Sequence, residues 1–68
     1  MLKNIEAERG RFGLSKEAIS KKLNISSKTY NSYVAGNSPI PSDVLIAMAD
    51  MFDCRVDYLL GLTDTRSA

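Results

Sequence analysis

This chain of 68 residues has no histidine, no tryptophan, one cysteine and two prolines. Without histidine it can form neither a histidine-based catalytic triad nor a Cys/His metal site, and one cysteine cannot form an internal disulfide. No apolar run approaches the roughly 18 residues that a membrane span needs. The first residues lack the charged-then-apolar pattern of a signal peptide. We therefore expect a cytoplasmic protein with no enzymatic activity, no cofactor, no metal, no small-molecule ligand and no membrane partner.

The charge of the chain is unevenly distributed, although its net value is only +1. Residues 1–34 carry seven lysines and arginines against three glutamates, which gives +4. Residues 35–68 carry two arginines against five aspartates, which gives −3. A polyanion would meet the basic half first, although a solvated surface of uneven charge explains the same numbers equally well. The length allows one domain with one modest core.

The segment 14–36 has the most informative pattern, which predicts two short helices joined by a tight turn. Ile19 and Leu23 lie four residues apart and give the first helix an apolar stripe. Asn24 then suits the left-handed conformation in which helices often end. Ser26 follows where the next helix needs a side-chain acceptor for its free amides. This is the pattern of a helix-turn-helix, whose second helix fits the major groove of DNA.

The second of these helices is predicted to have two different faces and to end at Gly36, which tolerates a left-handed conformation. Its apolar stripe consists of Tyr30, Tyr33 and Val34. Its polar stripe consists of Lys28, Asn31 and Ser32. Helical periodicity places these two stripes on opposite sides, so the polar side chains face outward. A solvated outer face is the alternative to a DNA-reading one.

The rest of the chain predicts three more helices and no strand. Helix 1 covers about 2–11 and helix 4 follows a Ser42 cap, whereas helix 2, which follows a Ser15 cap, and helix 3, over about 27–35, are the two helices of the helix-turn-helix. Helix 4 has an apolar stripe of Leu45, Met48, Ala49 and Phe52. Helix 5 covers about 56–60, and a polar tail over 63–68 is expected to fray. The prediction is an all-α, compact five-helix domain over residues 1–62.

Five short motifs follow one another at a characteristic spacing. They are Glu-Ala-Glu-Arg at 6–9, Leu-Ser-Lys-Glu at 14–17, Lys-Thr-Tyr at 28–30, Pro-Ile-Pro-Ser at 39–42 and Val-Asp-Tyr-Leu-Leu-Gly at 56–61. Together they resemble the phage repressor and Cro type of helix-turn-helix proteins, the Xre family, and most of all regulators of phages and mobile elements of Gram-positive bacteria. The resemblance implies a lambda-repressor-like domain, bacterial or phage-encoded and nucleoid-associated. It would bind double-stranded operator DNA as a two-fold dimer and regulate transcription, most simply as a repressor.

The resemblance also implies which residues meet DNA. The base-reading positions of the recognition helix are Ser27, Lys28, Asn31 and Ser32. The phosphate-binding positions are Ser15 and Lys16 at the start of helix 2, and Asn37 and Ser38 after helix 3. The chemistry agrees, because lysine can donate to guanine and asparagine can pair with adenine. For Asn37 and Ser38, ordinary turn chemistry is an equal alternative.

Several positions depart from the pattern of this family, and two of them concern how the helices pack. Its members commonly pair a helix 1 arginine with a glutamate near the end of helix 3, but this chain has Arg9 and Val34 at those positions. Arg9 then either meets a glutamate of helix 1 or faces solvent. Ser20 replaces a small alanine where helices 2 and 3 cross. Its hydroxyl can donate to a carbonyl one turn earlier, so we expect the fit to survive.

Assembly and the alternative function depend on other parts of the chain. The candidates for the contact of a weak homodimer are Tyr58, Leu60 and Leu62, while Leu59 is expected in the core. Alternatively, Leu60 and Leu62 only cap the core of the monomer. The alternative function is a protein-interaction module, such as an antitoxin or an antirepressor partner, without sequence-specific DNA binding. The basic half argues against it, whereas the modest net charge and the lack of arginine in helix 3 leave it open.

Overall fold

The computed structural model describes residues 1–67, which form five α-helices and no strand. The helices pack as a globule of 28 × 24 × 19 Å, in which α1 contacts α3 and α5, α2 contacts α3, and α4 contacts α5. No helix in this part of the chain has the length and apolar character needed to cross a membrane. The predicted all-α, five-helix fold is confirmed. The helices are α1 (Lys3–Arg11), α2 (Lys16–Lys22), α3 (Ser27–Ala35), α4 (Ser42–Phe52) and α5 (Val56–Leu59).

Local side-chain chemistry fixes the ends of α2 and α3, as the sequence predicts. The hydroxyls of Ser15 and Ser26 each accept a hydrogen bond from the amide three residues later, at 3.0 Å. Each bond satisfies an amide that has no partner within its helix. Asn24 adopts a left-handed conformation with φ of 57°, and Gly36 ends α3 with φ of 82°. The Ser20 hydroxyl donates to the carbonyl of Lys16 at 2.6 Å, also as expected.

One hydrophobic core lies under all five helices. Its buried apolar residues are Ile5, Ile19, Leu23, Tyr30, Val34, Val44, Met48, Phe52 and Leu59. The predicted stripe of α4 is wrong at one position, because Val44 is buried whereas Leu45 is only half-buried and lies outside this core cluster. Met48 and Phe52 fit either stripe, so periodicity could not decide which neighbour points inward. The inward side of α4 is rotated towards Val44 and Met51.

The predicted cap of α4 is also wrong. Ser42 is the first residue of the helix and is exposed, and Pro41 occupies the capping position without a side-chain hydrogen bond. The Pro41 carbonyl accepts from the amides of Val44 and Leu45, both at 3.1 Å. The helix therefore begins one residue earlier than the serine suggested. The extended backbone of proline, with ψ of 149°, leads into it.

The segment after α5 is folded back onto the domain and is not frayed at Arg66. The Arg66 guanidinium donates to the Glu8 carboxylate at 3.0 Å and to the Phe52 carbonyl at 2.6 Å. The Arg66 carbonyl accepts from the amide of Arg55 at 3.0 Å. Glu8 is only 2% exposed, and its second oxygen accepts from the Tyr58 hydroxyl at 3.1 Å. We call Glu8, Tyr58 and Arg66 the Glu8 cluster; it joins α1, α5 and the tail.

Candidate nucleic-acid interface

The outer face of α3 presents two polar side chains on a firmly held helix. Lys28 and Asn31 are exposed, and neither side chain makes a hydrogen bond or ion pair within residues 1–67. Tyr30 and Val34 lie on the opposite side and are buried in the core. The predicted separation of polar and apolar stripes is therefore present. A helix anchored in this way can press its outer side chains against base edges.

Ser27 and Ser32, the other two predicted base-reading residues, are half-buried. The hydroxyls of Ser32 and Ser38 lie 2.8 Å apart and form a hydrogen bond. The amide of Asn37 donates to the Ser32 carbonyl at 3.0 Å, while the Asn37 side chain is exposed. The structure thus joins a predicted base-reading residue to the predicted phosphate-binding loop. This bond orders the loop that follows α3.

The start of α2 brings the two other predicted phosphate-binding residues together. The Ser15 oxygen is occupied as an acceptor by the helix cap, but its hydroxyl hydrogen can still be donated. Lys16 is exposed and takes no part in an ion pair among the described residues. A serine donor and a lysine cation are side chains that commonly contact DNA phosphates. Neither side chain makes a contact within the described residues that would prevent it from binding a phosphate.

Lysines and arginines occupy different positions in this molecule. Every ion pair within residues 1–67 uses an arginine: Arg9–Glu6, Arg11–Glu8, Arg55–Asp57 and Arg66–Glu8. All five lysines are exposed and unpaired there, and four of them belong to α2 and α3. We call Lys16, Lys21, Lys22 and Lys28 the α2–α3 lysines. Most of the unpaired positive charge thus belongs to the helix-turn-helix, which suits a polyanionic partner.

The sequence left open whether Arg9 meets a glutamate of helix 1 or faces solvent. In the structure Arg9 meets such a glutamate, in a polar cluster under α3. Arg9 pairs with Glu6 of its own helix, with its Nε and Nη2 atoms 3.0 and 3.1 Å from the two carboxylate oxygens. The Tyr30 hydroxyl donates to the same carboxylate at 2.5 Å. The Arg9 guanidinium also donates to the Leu14 carbonyl at 2.7 Å. We call Glu6, Arg9 and Tyr30 the Glu6 cluster.

The Glu6 cluster shifts the titration of its members. The hydrogen bond from Arg9 holds the pKa of Glu6 below its ordinary value, and the same bond raises the pKa of Arg9. Burial raises the pKa of the Tyr30 hydroxyl, and the neighbouring Glu6 carboxylate raises it further. At neutral pH the cluster therefore contains an ionised carboxylate, a guanidinium and a neutral phenol. These are the protonation states that its hydrogen bonds require.

The three candidate dimer residues differ in their environment. Tyr58 packs against the core and its hydroxyl is bonded to Glu8, and burial is the main cause of its raised pKa. Leu60 is half-buried, whereas Leu62 is 76% exposed. The buried position of Leu59 confirms its expected place in the core. Ile46 of α4, which the sequence analysis did not single out, is 57% exposed.

Sequence reasoning missed the partners of two buried polar groups. It placed Tyr30 in the apolar stripe without asking which group its hydroxyl contacts, although a buried tyrosine usually needs a partner. That question predicts a hydrogen-bond partner for the hydroxyl but does not identify Glu6 as that partner. No local signal could have predicted the pair between Glu8 and Arg66, because the two residues lie 58 positions apart in the chain. No group of three or more histidine, cysteine, aspartate or glutamate residues within 1–67 could hold a metal ion.

Comparison with known proteins bears on this helix-turn-helix and its supporting core. The profile of the helix-turn-helix family matches residues 5–59. A similar protein is the uncharacterised HTH-type transcriptional regulator YobD of Bacillus subtilis (strain 168), which is 39% identical over 51 residues. The aligned part covers 75% of this chain and 46% of that protein, so the chain spans less than half the length of this relative. No solved structure matches the chain. From the profile match and this relative together, the chain belongs to the Xre-type helix-turn-helix family of DNA-binding transcription regulators.

Proposed function

We propose that this chain binds an operator sequence in double-stranded DNA through α3 and thereby regulates transcription, as a repressor that occupies the promoter. The observation that carries the proposal is the outer face of α3, where Lys28 and Asn31 are exposed without partners in residues 1–67. In this proposal Lys28 donates to guanine and Asn31 pairs with adenine. Ser27 and Ser32 contact bases from the edges of the same helix.

Phosphate contacts on both sides of α3 would fix its depth in the groove. We assign them to Ser15 and Lys16 at the start of α2, and to Asn37 and Ser38 after α3. The unpaired state of the α2–α3 lysines supports this assignment, because such cations release counterions when they meet phosphates. The bond between Ser32 and Ser38 supports it as well, since it holds the second loop beside the recognition helix.

The test begins with in vitro selection of a bound sequence from random DNA. Lys28→Ala and Asn31→Ala should each weaken binding to the selected site by about 1–3 kcal/mol and change binding to random DNA much less. Lys3→Ala is the matched control, because Lys3 is an exposed, unpaired lysine outside α2 and α3. Equal losses on selected and random DNA would contradict base reading. A selection that enriches no sequence would favour a protein-interaction module instead.

Repression has its own test in a reporter strain. Placing the selected site between the promoter and start codon of a reporter gene should lower expression when the chain is present. The Asn31→Ala variant, produced at the same level, should lower it less. Raised expression would instead identify an activator.

A two-fold dimer would present two α3 helices one DNA turn apart, roughly 34 Å. We propose that Leu60 and Leu62 form its contact with Tyr58 at the edge, since Leu62 is 76% exposed. So small a patch predicts a weak dimer that is completed on DNA. In sedimentation with a palindromic site, Leu62→Glu should abolish the two-to-one complex. Ile46→Glu is the control for an exposed aliphatic side chain on α4, and equal loss in both variants would refute the assignment.

A further inference from the structure

The Glu6 cluster connects the two parts of the helix-turn-helix that would contact DNA. Tyr30 belongs to α3, between the proposed base-reading residues Lys28 and Asn31. Its hydroxyl donates to Glu6 at 2.5 Å, and Glu6 in turn is held by Arg9. All three side chains lie away from the outer face of α3, and Tyr30 is completely buried. The cluster is therefore a support beneath the recognition helix.

Arg9 extends this support to the loop that leads into α2. Its guanidinium donates to the Leu14 carbonyl at 2.7 Å, and its own carbonyl accepts from the Leu14 amide at 3.0 Å. Both polar groups of the Leu14 backbone are thus bonded to one residue of α1. Leu14 directly precedes the Ser15 cap and Lys16. A change in the position of Arg9 would displace this loop.

We propose that Glu6, Arg9 and Tyr30 are positioning residues that fix α3 relative to the loop before α2. This inference rests on the proposed function, because discrimination between DNA sequences requires base-reading and phosphate-binding groups to fit at the same time. A shift between them weakens binding to the correct sequence most, since only that complex uses both sets of contacts. Non-specific binding depends on charge and tolerates such a shift.

Tyr30→Phe is the sharpest variant, because it removes one hydroxyl and keeps the buried ring. Its matched control is Tyr33→Phe, on the same helix, since the half-buried Tyr33 makes no side-chain hydrogen bond within residues 1–67. We expect Tyr30→Phe to weaken binding to the selected sequence about five-fold. Binding to random DNA should remain unchanged, and Tyr33→Phe should change neither affinity. An equal effect of both variants, or an unchanged ratio of selected to random affinity, would overturn the proposal.

A second measurement, made without DNA, separates this inference from the proposed function. Amide hydrogen exchange at Leu14 should become faster in Tyr30→Phe and stay as in the unmodified protein in Tyr33→Phe. Unchanged exchange at Leu14 in Tyr30→Phe would overturn the coupling, whatever the DNA result. If the unmodified protein failed to discriminate between DNA sequences, the proposed function would fail. The exchange rate at Leu14 would still decide whether Tyr30 and the loop are coupled.

Discussion

Positively charged side chains are paired differently in two regions of the molecule. One is the surface that carries the α2–α3 lysines, which we call the α2–α3 surface, and the other is the corner of α1, α5 and the tail that contains the Glu8 cluster. On the α2–α3 surface, four lysines are exposed and unpaired within the described residues. At the corner, Arg66 is paired with the buried Glu8 carboxylate and caps the last carbonyl of α4. The difference indicates that cations at the corner stabilise the fold, whereas the α2–α3 lysines are free for a partner. Stability and DNA binding should therefore respond to different residues.

The core beneath both regions provides the largest expected effect. Phe52→Ala removes a fully buried aromatic ring and should lower the free energy of unfolding by about 3–5 kcal/mol. Because a domain of this size has only about 5 kcal/mol in total, both regions should unfold together near room temperature. Thermal unfolding followed by circular dichroism measures this effect. A melting transition like that of the unmodified protein would contradict the central place of α4 in the core.

Arg66→Ala tests the corner alone and should have the next largest effect. It leaves the buried Glu8 carboxylate with the Tyr58 hydroxyl and with Arg11, whose Nε lies 3.9 Å away. We expect a loss of about 1–3 kcal/mol in unfolding experiments, since a charged group loses its nearest donor. Arg55→Ala, from the exposed pair with Asp57, is the control and should be nearly neutral. Equal losses of unfolding free energy in the two variants would show that the Arg66–Glu8 pair stabilises the fold no more than an exposed pair does.

Acid pH should lower the stability of the fold by protonating Glu6 in the Glu6 cluster. Because the pKa of Glu6 is lower in the folded protein than its ordinary 4.5, ionised Glu6 stabilises the fold above that pH. This contribution is lost as the pH falls below 4.5 and passes through the folded value. The pKa of Tyr30 is raised in the folded protein, so stability is also lost at alkaline pH, as the pH rises above the ordinary value of 10. Urea unfolding from pH 7 to 2.5 should therefore show a shallower decline in Glu6→Gln than in the unmodified protein, and identical profiles would contradict the assignment.

Lys16→Ala tests the α2–α3 surface and should have the smallest effect. It should reduce the slope of log affinity against log salt by about 1, because roughly one counterion fewer is released on binding. Its melting temperature should stay the same, since Lys16 is exposed and unpaired within residues 1–67. Arg66→Ala should show the reverse, with lower stability and an unchanged slope. An unchanged slope with altered base preference would instead move Lys16 into the groove.

The features that the sequence predicted correctly depend on neighbouring residues. A serine cap bonds to an amide three residues later, and the left-handed Asn24 ends a helix by its own conformation. The exposed positions of Lys28 and Asn31 follow from helical periodicity once Tyr30 and Val34 are assigned to the core. The helix-turn-helix is thus almost entirely a local pattern, which is why its two helices and the turn between them were predictable.

The features that the sequence could not predict depend on distant parts of the chain. Which side of α4 faces inward is decided by the elements that pack against it, so Val44 and Leu45 were equally plausible from their spacing. The burial of Glu8 depends on an arginine 58 residues later, and the tail containing it has no apolar pattern. The hydrogen bond of the Tyr30 hydroxyl could be predicted only by knowing that Glu6 of α1 lies opposite Tyr30 of α3. These contacts come from tertiary packing, which periodicity does not describe.

The bonds of Arg66 also determine how the domain would respond to mechanical force. Tension applied to the chain beyond residue 66 acts first on the bonds that join Arg66 to Glu8, Phe52 and Arg55. The force therefore passes to α1, to the end of α4 and to Arg55, which directly precedes the four-residue helix α5. Since α1 also contains Glu6 and Arg9, a pull on the C-terminal side would also be transmitted through α1 to the Glu6 cluster beneath α3.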